Sequence, residues 1–158
     1  MKMGGGKIPF VPSPHDVVRR MLSLADPRPD ELLIDLGSGD GRIVVAASRD
    51  YRCRSIGVEI DRELIDHSRE KISRLGLHNA RIIEADLHRY DFTNADVVTL
   101  YLLPKTLEVL KPKILKLRRG SRVICHDFRI PGLEPDEVYV LKSGITGRTH
   151  KIYYYEID

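Results

Sequence analysis

A chain of 158 residues with 42% hydrophobic and 31% charged side chains has the size and composition of one globular domain, which excludes disordered, collagenous and low-complexity classes. Its 26 Lys plus Arg against 23 Asp plus Glu give a net charge of +3, too small to mark a nucleic-acid binder. The longest apolar stretch, near Val97–Leu103, is far short of the ~20 residues of a membrane helix. Met1–Gly6 has no apolar segment of the signal-peptide kind, so a cytoplasmic protein without membrane contact is expected.

Residues 1–7 contain three consecutive glycines and are expected to be flexible, and residues 8–158 to form the domain. Residues 8–14 read I-P-F-V-P-S-P, a density of proline that favours an extended arm. Ser13 is placed to cap a helix with Pro14 at its first position, and Val17, Val18, Met21, Leu22 and Leu24 supply an apolar stripe that Pro27 and Pro29 end. Strand and helix patterns then alternate. Leu32–Leu36 is a short apolar run that stops at glycines, as a buried parallel strand does, and Arg42–Arg49 reads as a helix. Ser55–Glu59 is a second strand; Asp61 opens a helix with Leu64, Ile65, Ile72 and Leu75 on one side, and Gly76 closes it. Ala80–Ala85 and Ala95–Leu102 are further strands, followed by a helix over Lys105–Leu117 and a fifth strand at Arg122–His126. Glu137–Lys142 and Thr149–Ile157 form a closing hairpin across the Gly144–Gly147 turn. Five β/α units and a hairpin predict an α/β domain: a mostly parallel sheet with an antiparallel edge, helices on both faces.

Some residue classes carry no function. Lys105, Lys111, Lys113, Lys116, Arg118, Arg119 and Arg122 read as a solvated helix face and the loop after it. Cys53 and Cys125 make no C-x-x-C pair and are expected to be buried, reduced thiols. The six histidines have no ligand spacing, so no metal is assigned, and no histidine–acid constellation is legible.

The strongest motif is Asp35-Leu36-Gly37-Ser38-Gly39-Asp40-Gly41, between the first strand and its helix. In an open α/β sheet, ligands bind at the carboxyl ends of strands, and glycines let the backbone approach them closely. A dinucleotide fingerprint would read G-x-G-x-x-G, whereas here the spacing is G-x-G-x-G and Asp35 and Asp40 flank it. Those acids would repel a pyrophosphate and welcome an ammonium group. S-adenosylmethionine, with an α-amino group and a sulfonium, fits. Glu59, with Ile60 beside it, ends the second strand 22 positions after Gly37, where a carboxylate can accept both ribose hydroxyls. Asp86 ends the third strand, where it can accept from the adenine amine while the Leu87 N–H donates to the ring.

With these residues the chain resembles the seven-strand S-adenosylmethionine-dependent methyltransferases: Asp35–Gly41, Glu59 and Asp86 are similar to that superfamily's first motif, ribose acid and adenine acid. Pro9-Phe10-Val11-Pro12-Ser13 followed by Asp35–Arg42 resembles, more narrowly, the small archaeal-type protein-lysine methyltransferases. Their eukaryotic relatives are the mitochondrial enzymes acting on the adenine nucleotide translocase and the ATP synthase c-subunit. The resemblance implies a Rossmann-like seven-stranded sheet and an arm beside the cofactor site, with Phe10 and Val11 covering the cofactor or lining the acceptor channel. Ser13 stands where that family usually has Thr. Tyr101-Leu102-Leu103-Pro104 occupies the place where base-amine methyltransferases carry Asn-Pro-Pro-Tyr or Asp-Pro-Pro-Tyr, which argues against a base amine.

A protein lysine ε-amine is therefore the expected acceptor, deprotonated by desolvation in an apolar channel that Tyr101 shapes, with no general base assigned. Methyl transfer to RNA or a small metabolite, and a non-catalytic S-adenosylmethionine-binding module, are the alternatives. An NAD-linked oxidoreductase ranks last because of the loop spacing and its acids.

Overall fold

The computed structural model describes Lys2–Met3, Gly6–Lys7 and residues 10–158; the expected flexibility of residues 1–7 and the first part of the arm fall largely outside the described residues. Four helices and seven sheet strands follow in the order α1 (His15–Ala25), β1 (Leu32–Leu36), α2 (Arg42–Ala46), β2 (Arg54–Glu59), α3 (Arg62–Arg74), β3 (Ala80–Glu84), β4 (Val97–Leu100), α4 (Pro104–Ile114), β5 (Arg122–His126), β6 (Glu137–Lys142) and β7 (Thr149–Glu156). The sheet order is β3-β2-β1-β4-β5-β7-β6. β1 to β5 are parallel, and β7 runs antiparallel between β5 and β6. This is the expected mixed sheet. Residues 85–96, between β3 and β4, are irregular, and Leu87, Phe92 and Ala95 bury themselves in the core without a repeating helical stripe.

β1 is buried on both faces, which is why all five of its residues are apolar or internally bonded. Leu32, Ile34 and Leu36 point to the layer of Leu107, Leu110 and Ile114 from α4. Leu33 points to the opposite layer with Val17, Val18, Met21 and Leu22 from α1 and Ile43 from α2. The alternation of period two along the strand thus fixes which helix covers which face.

Local signals account for most helix ends. Asp61 caps α3 by accepting the N–H groups of Glu63 and Leu64. Gly76 takes a positive φ of 64° just beyond α3. α4 starts at Pro104, whose missing N–H costs nothing in a first turn, and ends three residues before Leu117. α2 is shorter than expected and continues through a π-type turn over Ala47–Tyr51. α1 departs most from expectation: Pro14 is its cap, and the Ser13 hydroxyl, instead of capping, reaches across the sheet to His126 at 2.8 Å. The basic residues near α4 are partly committed. Lys113 donates to the His88 carbonyl, Arg118 pairs with Asp96, and Arg122 makes a bidentate pair with Glu31.

Candidate active site

Because β1, β2, β4 and β5 are parallel, their carboxyl ends open on one edge of the sheet. A cavity of about 540 Å³ lies there, with Asp35, Gly37, Ser38 and Glu59 on one side and Tyr101 and Phe128 on the other. The arm, Phe10 to Ser13, forms a further wall.

The glycine loop is built so that only glycine serves at its three positions. Gly37, Gly39 and Gly41 have φ of 78°, 57° and 79°, in the left-handed region. A Cβ on Gly39 would fall 2.1 Å from a ring carbon of Phe10. The N–H groups of Gly37 and Ser38 both donate to the Val58 carbonyl, at 2.8 and 3.0 Å, and tie the loop to β2. The Ser38 hydroxyl is buried, and its oxygen has no hydrogen-bond partner among the described residues. An orphaned buried polar atom in a cavity wall is a ligand contact waiting for its partner.

The three acids of this wall are in different states. Asp35 is fully buried and accepts one hydrogen bond, 2.8 Å from the Thr99 hydroxyl on β4. Burial pushes its carboxyl up to about 7, against the Thr99 bond, with the nearby Glu59 and Asp40 charges adding to the rise. Glu59 accepts three backbone N–H groups, from Gly39 at 2.9 Å and from Ile60 and Asp61 at 2.8 and 3.0 Å, so it braces the loop as well as facing the cavity. Asp40 faces the cavity but is paired with Arg42 at 2.7 Å. Burial works to raise its carboxyl, yet the Arg42 guanidinium outweighs it and holds the group below the usual range. Of the flanking pair Asp35 and Asp40, Asp40 is thus neutralised by a cation, whereas Asp35 has only a hydroxyl partner among the described residues.

Arg42 has a second task. It donates to the Ser13 carbonyl at 3.0 Å and so pins the arm over the loop. Phe10 and Val11 remain 44% and 57% exposed, too open for a staple onto α1, and both line the cavity. Gly41 caps α2, and Ile60 is exposed beside Glu59. Asp86 and Leu87 are not in the cavity wall: the Asp86 carboxylate accepts the His88 N–H, and Leu87 packs in the core near Gly37. Cys53 and Cys125 are buried and unpaired, and burial raises both thiols.

Behind the far wall, in contact with Tyr101, stands a constellation that the sequence did not display. Tyr101, just past β4, lies with its ring centroid 3.9 Å from that of His126 and its hydroxyl 3.5 Å from Asp127 Oδ2. His126 Nε2 and His150 Nδ1 share a 2.9 Å hydrogen bond, and His150 Nδ1 lies 3.2 Å from Asp127 Oδ2. This corrects the expectation of no histidine–acid grouping. His150 sits on β7, which only the antiparallel pairing of His126 with Ile152 brings alongside β5. The one sequence signal was the His126-Asp127 pair at a strand end. The three ligating atoms lie within 4.8 Å of one another. A hydrogen-bonded chain from Ser13 through His126 and His150 to Thr146 engages all four ring nitrogens.

A sequence model of the ANTKMT methyltransferase domain matches residues 35–137, from the first acid of the glycine loop to the start of β6. The chain belongs to the ANTKMT methyltransferase family. The methyltransferase is 40% identical over 153 residues to the protein-lysine N-methyltransferase of Saccharolobus islandicus (strain REY15A), covering 95% of this chain and 94% of that one. It is 30% identical over 153 residues to the adenine nucleotide translocase lysine N-methyltransferase of Mus musculus, covering 96% of this chain and 64% of that longer one. The crystal structure of an RNA methyltransferase from Salinibacter ruber in complex with S-adenosyl-L-homocysteine is similar with a TM-score of 0.86 and 38% identity, over 93% of this chain and 94% of that one. The protein is an S-adenosylmethionine-dependent methyltransferase, and S-adenosylmethionine is its cofactor. No helix among the described residues is long and apolar enough to cross a membrane.

Proposed function

We propose that this methyltransferase modifies lysine ε-amines of proteins, on an open face of a single domain spanning residues 8–158, in the cytoplasm. The observation that carries this reading is the end-to-end likeness to a protein-lysine N-methyltransferase, 40% identical over 95% of the chain. The cavity agrees with it. Its wall includes five carboxylates, Asp35, Asp40, Glu59, Asp61 and Glu63, against one guanidinium, Arg42, itself paired to Asp40. That balance draws in a cationic amine and repels a phosphate backbone.

S-adenosylmethionine supplies the methyl group, bonded to a cationic sulfur. Asp35 and Glu59 would hold its ammonium and ribose hydroxyls, and the glycine backbone with Ser38 Oγ would offer it polar contacts. Phe10 and Val11 shield it from water. Ile60, Asp86 and Leu87, beyond the cavity wall, would take the adenine end, next to the strand junction where the Ala85 N–H donates to the Glu59 carbonyl. Tyr101 and Phe128 supply aromatic walls that hold a lysine stem and favour its cationic head.

A second reading, methyl transfer to RNA, has the Salinibacter ruber likeness in its favour. Incubation with methyl-tritiated S-adenosylmethionine and separated protein and RNA fractions of a cell lysate decides between them. The lysine reading expects label in protein that hydrolyses to methylated lysine. Label confined to RNA would overturn it.

A further inference from the structure

Lysine methylation releases a proton, since an ammonium group with a pKa near ~10.4 enters and its free amine must attack. The carboxylates of the glycine-loop wall already hold other partners. Glu59 accepts three backbone N–H groups that brace the loop, Asp40 is paired with Arg42, and Asp35 accepts the Thr99 hydroxyl and is the carboxylate read above for the cofactor's ammonium. The acceptor side differs. Asp127 lies just behind the cavity wall, touching Tyr101 and preceding Phe128, which both line it, and it follows β5 with a φ of 62° that a non-glycine residue rarely adopts. The fold maintains that conformation through four contacts. Asp127 Oδ1 accepts the Lys151 N–H, and Oδ2 is approached by His150 Nδ1, His126 Nε2 and the Tyr101 hydroxyl. Strain held by surrounding contacts, directly behind two residues of a cavity wall, is the pattern of a functional residue.

From this geometry we propose that Asp127 is the proton acceptor for the incoming lysine amine, with His126 and His150 as positioning residues and His150 as the onward carrier of the proton. This rests on the lysine reading above. The Asp127 side chain keeps 25% of its surface exposed, whereas His126 is fully buried. His150 Nε2 lies 3.2 Å from the hydroxyl of Thr146, an exposed residue in the β6–β7 turn, so a hydrogen-bonded line runs from Asp127 to water. Burial drives His126 down to about 4, against the pull of the Asp127 charge, so its ring stays neutral and acts as a spacer between Ser13 and His150. The groups facing Asp127 are thus His126 from β5, His150 from β7 and Tyr101 after β4, with the Arg148 charge acting on Tyr101.

The proton balance is complete. The ammonium proton passes to the Asp127 carboxylate and through His150 to water; the freed nitrogen pair forms the N–C bond, and the pair of the breaking C–S bond stays on sulfur. The desolvation expected to deprotonate the amine is thereby assisted by a carboxylate, which general base catalysis values at about 10²–10⁴-fold.

The test compares wild type with Asp127→Asn, an isostere that tolerates the same positive φ. The probes are the lysine-labelled protein fraction of the lysate with tritiated S-adenosylmethionine, and S-adenosylhomocysteine in calorimetry. Expected are an unchanged affinity for S-adenosylhomocysteine, a loss of about 10²-fold in labelling rate at pH 7, and recovery to within a few-fold near pH 9.5, where free amine is supplied by the solvent. Full activity in the variant, or a loss equal at both pH values, would overturn the proposal. If Asp127→Asn does not bind S-adenosylhomocysteine or fold, His150→Asn carries the same expectation of a smaller, pH-recoverable loss. A wild type that labels no lysine overturns the lysine reading and this inference together, whereas lysine labelling unaffected by either variant removes the inference alone.

Discussion

Asp35 makes the ligand-free protein sensitive to pH, and the size of the effect follows from its burial. The ordinary carboxyl value of 3.8 is raised to about 7 by desolvation at the sheet edge, where one Thr99 hydroxyl is its hydrogen-bond donor. A group raised in the folded state stabilises the fold fully below its unfolded value, and this stability drains away as pH climbs through the folded value. The window is therefore pH 4 to 7, with stability lost as pH rises. At about 1.4 kcal/mol per pH unit, the penalty above pH 7 approaches ~4 kcal/mol, a ceiling because the carboxyl faces a cavity that admits water. Asp35→Asn keeps an acceptor for Thr99 and cannot ionise. Thermal or urea unfolding of both proteins without ligand, from pH 4.5 to 8, measures the difference and cancels every other titrating group. The variant should gain on wild type from pH 4.5 to about 7 and then hold its lead, ending more stable by a few kcal/mol at pH 8. Its affinity for S-adenosylhomocysteine should fall at the same time, since the carboxylate for the ligand's ammonium is gone. Stability curves that run parallel across the range would refute the burial argument.

Three further perturbations probe the same wall. Glu59→Ala orphans the N–H groups of Gly39, Ile60 and Asp61 and should cost about 2–3 kcal/mol in S-adenosylhomocysteine binding by calorimetry; unchanged binding in a folded variant would remove Glu59 from the site. Gly57→Ala would place a Cβ 2.5 Å from Ser38 Oγ and 2.8 Å from Ile82, so a destabilisation of about 1–3 kcal/mol in urea unfolding and a displaced glycine loop are expected. Phe10→Ala removes the ring lying over Gly39 and should weaken S-adenosylhomocysteine by roughly tenfold with little change in unfolding, because the ring is 44% exposed and outside the core. An equal loss of stability would instead make the arm part of the packing.

The sequence by itself determined what depends on near neighbours. Apolar runs of period two and helical stripes located the strands and helices to within a few residues, and Asp61, Gly76 and Pro104 marked helix ends through their own backbone chemistry. The glycine loop with Glu59 was legible because left-handed φ and strand-end acids leave a residue-type signature at short spacing. Irregular segments left no such trace, and no pattern in residues 85–96 announced that Leu87, Phe92 and Ala95 would reach the core. What only the tertiary structure decided is which groups meet across the sheet. Ser13 gave up a helix cap for a histidine 113 positions away, and Arg42 took the charge of Asp40 and the arm together. His150 came to Asp127 because an antiparallel strand inserts beside β5, a pairing set by the burial of Ile152 and Tyr155 and not by any local preference of the histidine. Spacing along the chain records local geometry; distance through the sheet depends on strand order, which the packing of the whole core determines.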